Sequence, residues 1–122
     1  MKKRIRLLRG ADFQRVLLGP PVFSGRTVVA FAAADRQAAR RPPGVQVRVG
    51  VATARRIPGA VARNRAKRRV REAVRVSLPA GLGGGRMGTP YDVVLIARPA
   101  ALTAPLDQVT AEVRRVWERL DR

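Results

Sequence analysis

Between Arg55 and Arg75 the chain carries nine cationic side chains and one acid, Glu72. Six of those cations fall in the ten residues RNRAKRRVRE, positions 63–72. Guanidinium forks at this density match the paired oxygens of phosphates, so the chemistry they suggest is capture of a polyanion. Groups that make and break bonds are scarce. The chain has no cysteine and no histidine, which removes thiolate nucleophiles, imidazole metal ligands, disulfides and the usual neutral-pH general base. Its eight acids are Asp12, Asp35, Glu72, Asp92, Asp107, Glu112, Glu118 and Asp121. A two-metal nuclease needs several carboxylates converging on one point. Four of these lie in or near the last predicted helix, mostly toward solvent, and the others are scattered. We therefore expect no catalytic residue and no protein-held metal in this chain.

The elements that must position the cations follow from periodicity. GADFQRVLLG (10–19) puts Phe13, Val16 and Leu17 on one side of a short helix bounded by glycines. TVVAFAAA (27–34) reads as a strand, and VQVRVGVAT (45–53) alternates as a half-buried one, with Val45, Val47, Val49 and Val51 on one face. DVVLIA (92–97) is continuously apolar and suits a central strand. Leu106, Val109, Val113, Val116, Trp117 and Leu120 form one stripe of a terminal helix, for which Thr103 is the expected cap. RQAARRPPG (36–44) and PAGLGGGRMGTP (79–90) read as loops, and residues 1–9 as a flexible basic arm.

The cationic run belongs to a third helix, from about Gly59 to Ser77. At about 100° per residue, Ala62, Ala66, Val70, Ala73, Val74 and Ser77 gather on one side. Asn64, Lys67, Arg68, Arg71 and Arg75 gather on the other, flanked by Arg65 and Arg69, while Arg55 and Arg56 lie in the preceding connection. A solvated face would mix signs to gain i, i+4 pairs, and like charges at that spacing repel. The arrangement makes sense if a polyanion such as a nucleic acid supplies the negative charge.

Composition agrees. At 122 residues the chain is long enough for one domain, 1–122, and its 46% apolar content argues for a folded globule despite a net charge of +18. The choice of 23 Arg over 3 Lys also fits codon bias in a GC-rich genome, but that bias does not explain the excess over acids. No apolar run of signal-peptide type follows the basic N-terminus, and none approaches the roughly 20 residues of a membrane span. A membrane-surface role is disfavoured because the apolar stripe of the basic helix is mostly Ala and Val. A DNA-binding module would brace the basic helix with a second helix, whereas strands flank it here. Lack of cysteine fits a reducing, cytoplasmic setting.

The segment RVGVATARRIPGAVARNRAKRRVREAVR, residues 48–75, resembles the hallmark region of the bacterial ribonuclease P protein subunit: a strand ending in Arg-Val-Gly, a basic pair, then Arg-Asn-Arg and further cations on a helix. DFQRV before a glycine, YDVVLIARPA and the amphipathic last helix agree in order and spacing. The resemblance implies an α+β fold, a two-layer α–β sandwich in the order αβββαβα. In it the basic helix joins two parallel strands by a left-handed crossover, against the usual right-handed rule. It implies a protein component of an endoribonuclease whose catalytic RNA removes the 5′ leader of precursor tRNA, with Mg²⁺ held mainly by that RNA.

Carried over by position, the resemblance places the RNA subunit against Arg55, Arg56, Arg63, Asn64, Arg65, Lys67, Arg68 and Arg71. It places the single-stranded leader in a cleft between the basic helix and one sheet face, with Phe13, Leu17 and Phe31 as the cleft side chains. Leu17 stands where the family commonly has an aromatic, which weakens stacking there. Ala52 and Ala54 replace serines that often flank the basic pair, removing hydroxyl contacts. On the residues alone, Phe13 and Leu17 fit ordinary helix packing equally well, Phe31 fits a core position, and Tyr91 and Trp117 are assigned to packing. A small ribosomal or general RNA-binding protein fits the charge as well and is the competing reading.

Overall fold

The computed structural model describes residues 5–7, 10–34, 47–77 and 91–120. In chain order its elements are β1 (Ile5–Leu7), α1 (Gly10–Leu17), β2 (Phe23–Ser24), β3 (Val28–Ala34), β4 (Val47–Thr53), α2 (Ala60–Ser77), β5 (Tyr91–Ala97), a 3-10 turn at Pro99–Leu102 and α3 (Leu106–Leu120). From α1 onward this is the expected αβββαβα order. The loops expected at 36–44 and 79–90 lie outside the described residues.

The strands form one sheet in the order β1-β4-β5-β3-β2. β5, the continuous apolar run, is central: it pairs in parallel with β4 and antiparallel with β3. The basic helix α2 is the connection between the parallel pair, as expected. β1 corrects the flexible-arm reading over Ile5–Leu7, which pairs in parallel with Val47–Val49 at the sheet edge; the rest of the expected arm, 1–4 and 8–9, lies outside the described residues. Three residues are too few for periodicity to register, and it is the unpaired edge of β4 that recruits them.

Strand alternation divides the interior in two. Val28, Ala30, Val49, Val51, Val93, Leu95 and Ala97 face α2 and α3, in a core that also buries Ile57, Val70, Val74, Val113 and Trp117. The Trp117 indole donates to Ser77 Oγ at 2.9 Å, which ties α3 to the end of α2. On the reverse face Val94 meets Val16 of α1, with Phe13, Leu17, Phe31, Ala33 and Ile96 packed partly around them. Trp117 is a core residue, as its stripe implied, and Tyr91 packs partly buried against the same core.

Two local details set the helix starts. Gly59 has φ +81°, a conformation that favours glycine, and its carbonyl accepts the first turn's bond from Arg63 N at 3.1 Å. α3 begins at Leu106, too late for Thr103 to cap it; Thr103 instead closes the 3-10 turn, its N–H donating to Ala100 O. Pro105 sets the start of α3, its carbonyl accepting from Gln108 N and Val109 N.

Candidate nucleic-acid interface

α2 is built as the sequence predicts. Ala66, Val70, Ala73, Val74 and Ser77 are buried against the sheet and α3, and burying that stripe forces the cations outward. Arg63, Asn64, Arg65, Arg68 and Arg71 are exposed, Lys67 is half-buried, and Arg55 and Arg56 are exposed in the turn before the helix. Arg63 donates from Nε to Ile57 O at 3.0 Å, which steadies the turn while its charge stays at the surface. Arg65, Arg68 and Arg71 have no hydrogen bond or ion pair with the described residues. Arg65 and Arg68 border a shallow groove that continues past Glu72 to Leu106.

Two cations of the run are committed elsewhere. Arg69, expected to flank the polyanion face, turns back to the 3-10 turn and the residues just after it: Nε donates to Ala101 O at 2.7 Å and Nη2 to Ala104 O. Arg75 forks onto Glu72, three residues before it. Hydrogen bonding from Arg75 holds the Glu72 carboxyl below the usual carboxylate range.

The reverse face of the sheet carries the second group of expected site residues. Phe13, Leu17 and Phe31 do come together, each half-buried. They do so between α1 and the sheet, which corrects the placement of the cleft beside α2. On the α2 side of the sheet the Ala and Val stripe of α2 is itself buried against the core. The register explains the position: Phe31, Val94 and Gly50 lie in one row across β3, β5 and β4. The Phe13 ring covers Gly50 so closely that a Cβ there would lie 2.3 Å from Cε2. Glycine lets the aromatic rest on the strand.

The next row toward the strand ends, Val29, Ile96 and Ala52, is half-buried and apolar. Beyond it lie Arg55, Arg56 and Arg98, all exposed, and Arg98 donates to Gly25 O at 2.9 Å. Arg26, also exposed, stands just before β3 at the same end. Arg26 and Arg98 escaped the sequence reading because each is a lone cation in its segment, and only strand pairing brings them beside the basic pair.

The row on the other side of Phe31 contains Ala33, Asp92 and Arg48. Asp92 is fully buried and accepts from Arg48 Nε at 2.8 Å and Nη2 at 2.7 Å, and also from Arg15 Nη2 of α1. This triad was not anticipated. Its signal was the single acid inside YDVVLIA, since a charge in a buried strand requires a partner. Among the described residues no group of three or more acids is arranged to hold a metal ion, and no helix is long and apolar enough to cross a membrane. With Asp92 committed to two guanidinium groups, its carboxylate does not suit a hydrated Mg²⁺ either.

A family model described as ribonuclease P matches residues 1–121. The chain belongs to the ribonuclease P protein family. A ribonuclease P protein component from Symbiobacterium thermophilum is 40% identical over 119 residues, covering 98% of this chain and 93% of the relative. One from Chloroflexus aggregans is 38% identical, covering 95% and 77%. Solved ribonuclease P proteins share the fold. One from Staphylococcus aureus matches with a TM-score of 0.65 at 23% identity, over 96% of this chain and 94% of that one. One from Thermotoga maritima matches at 0.64 and 22%, over 93% and 96%. The chain is thus the protein subunit of the ribonuclease P endoribonuclease, a ribonucleoprotein of tRNA 5′ processing. Nothing in the fold or its relatives favours the ribosomal reading.

Proposed function

We propose that this subunit meets RNA on two opposite faces of its sheet. Arg55, Arg56, Arg63, Asn64, Arg65, Lys67, Arg68 and Arg71 hold the catalytic RNA subunit, chiefly through phosphates. Phe13, Leu17 and Phe31, on the α1 side, take the single-stranded 5′ leader of precursor tRNA, in the cytoplasm. The observation that carries this reading is the separation itself. Exposed cations line α2, Arg65, Arg68 and Arg71 having no partner among the described residues, and half-buried aromatics collect on the reverse face, with Arg55 and Arg56 in the turn that joins the two. Phosphates favour the first surface and unstacked bases the second.

The subunit assists catalysis without supplying reacting groups. Mg²⁺ is held mainly by RNA phosphates, since the described residues offer no converging carboxylates. Phe31 decides the cleft assignment. Stacking on an aromatic contributes on the order of 1 to 3 kcal/mol per base. Phe31→Ala is therefore expected to weaken holoenzyme binding of precursor tRNA, leave mature tRNA unaffected and barely alter assembly with the RNA subunit. The measurement is holoenzyme affinity for matched substrates with and without a leader, with folding checked by circular dichroism. Unfolding of the variant would place Phe31 in the core, and equal loss on both substrates would put it on a surface other than the leader site.

A further inference from the structure

α1 is only eight residues long, and Val16 is the one fully buried side chain among those described on it. Seen down the helix, Phe13 and Leu17 lie about 60° and about 100° to one side of Val16, and Arg15 about 100° to the other. A short helix seated on one buried residue is free to roll about that residue. Rolling would lift Phe13 off Gly50 or drive Leu17 into Phe31. Close packing on the aromatic flank blocks one direction only.

The opposite flank is where Arg15 reaches Asp92. Asp92 is fully buried on the central strand, and Arg48 of the neighbouring strand grips both of its oxygens at 2.8 and 2.7 Å. Arg48 and Asp92 are also direct register partners, so the acceptor that Arg15 binds is fixed to the sheet by backbone and side chain together. The side chains of Arg15 and Arg48 are 39% and 21% exposed. Each guanidinium thus keeps a wet edge, which lessens the desolvation that a wholly buried ion group would suffer.

We propose that Arg15, Asp92 and Arg48 form a roll lock for α1, which makes Arg15 and Asp92 positioning residues for the leader site. The lock holds Phe13 and Leu17 at a set depth over the row Phe31, Val94 and Gly50. It touches neither the reacting atoms nor the RNA-subunit face. The inference rests on the leader reading of the cleft, and its test separates the two.

Asp92→Asn is the direct variant, but it leaves two cations facing a buried amide and risks the fold. Arg15→Met keeps the apolar stem and removes the guanidinium, with its bonds to Asp92 and to Ala34 O. Because Phe13 lies over Gly50, its ring current shifts the Gly50 Hα resonance, and that shift reads the roll in the free subunit by NMR. In Arg15→Met the Gly50 signal is expected to move toward its ordinary position. The holoenzyme's preference for precursor over mature tRNA is expected to fall about fivefold, the loss of part of one base stack. Arg15→Lys should recover most of both, and assembly with the RNA subunit should not change.

An unmoved Gly50 signal would overturn the lock. So would a moved signal with the precursor preference intact, provided that Phe31→Ala, measured in parallel, does lower that preference. If Phe31→Ala leaves the preference intact as well, the leader reading itself falls and takes the positioning role with it. In that case the Gly50 shift still reports whether α1 rolls.

Discussion

Arg65 and Arg69 stand one helical turn apart on α2, yet their surroundings separate them. Arg65 points away from the protein with no partner among the described residues, whereas Arg69 donates to the carbonyls of Ala101 and Ala104. Truncating Arg69 leaves the carbonyls of Ala101, in the 3-10 turn, and Ala104, just after it, without their charged donor, Ala101 being fully buried. Arg69→Ala is therefore expected to destabilise the fold by about 2 kcal/mol. Arg65→Ala should change stability by no more than about 0.5 kcal/mol, as is usual for exposed sites. Urea unfolding of the two variants makes the comparison; equal losses would contradict it. A helical wheel showed that both were cations off the apolar stripe. It could not show which one was structural, because the partners of Arg69 lie 32 and 35 residues further along the chain. Asp92 has the same history: its presence in an apolar strand was readable, but its partners come from α1 and β4.

At the level of elements, the periodic segments were legible, the eight-residue α1 included, and the two shortest strands, β1 and β2, were not. α2 and α3 repeat their pattern over several turns, and β4 and β5 carry unambiguous alternating or continuous apolar runs. β1 has three residues and depends on pairing with β4. The helix carrying Phe13 and Leu17 was legible, and the resemblance grouped them with Phe31, but the side of the sheet on which the three collect was not legible, since the face on which a short helix lands is decided by the tertiary fold. α2 also yields a prediction that belongs to the whole helix. If about five of its cations and the neighbouring basic pair meet phosphates, log affinity for the RNA subunit should fall with log salt at a slope of roughly −4. Replacing Arg65 and Arg68 together by Ala should make the slope shallower by about one to two units, with the circular dichroism spectrum unchanged. An unaltered slope in titrations from low to moderate salt would mean that these two side chains are only a solvated face.

The whole molecule carries a net charge of +18 on 122 residues, a field that must repel other copies and attract polyanions from a distance. Its arrangement matters as much as its size. α2 projects exposed cations from one face of the sheet, and Arg26, Arg55, Arg56 and Arg98 crowd one end of it. RNA bound on the α2 side and a strand lying on the α1 side would therefore meet around a basic rim, where two bodies of like charge are brought together. In the absence of protein, that repulsion has to be screened by metal ions. Fixed guanidinium groups substitute for part of that screening but do not replace ions that coordinate the reacting phosphate. The subunit should accordingly lower the Mg²⁺ concentration at which the cognate RNA cleaves precursor tRNA, and the gain should shrink as Mg²⁺ is raised. Rigorously RNA-free protein should not cleave at any Mg²⁺ concentration, because the described residues present no converging acids and the chain has no histidine. Cleavage followed across a Mg²⁺ series, with RNA alone, protein alone and both together, tests the two halves of the argument at once. Specific 5′ cleavage by the protein alone would refute the second half. A stimulation that stays constant at high Mg²⁺ would show that the protein acts by something other than its charge.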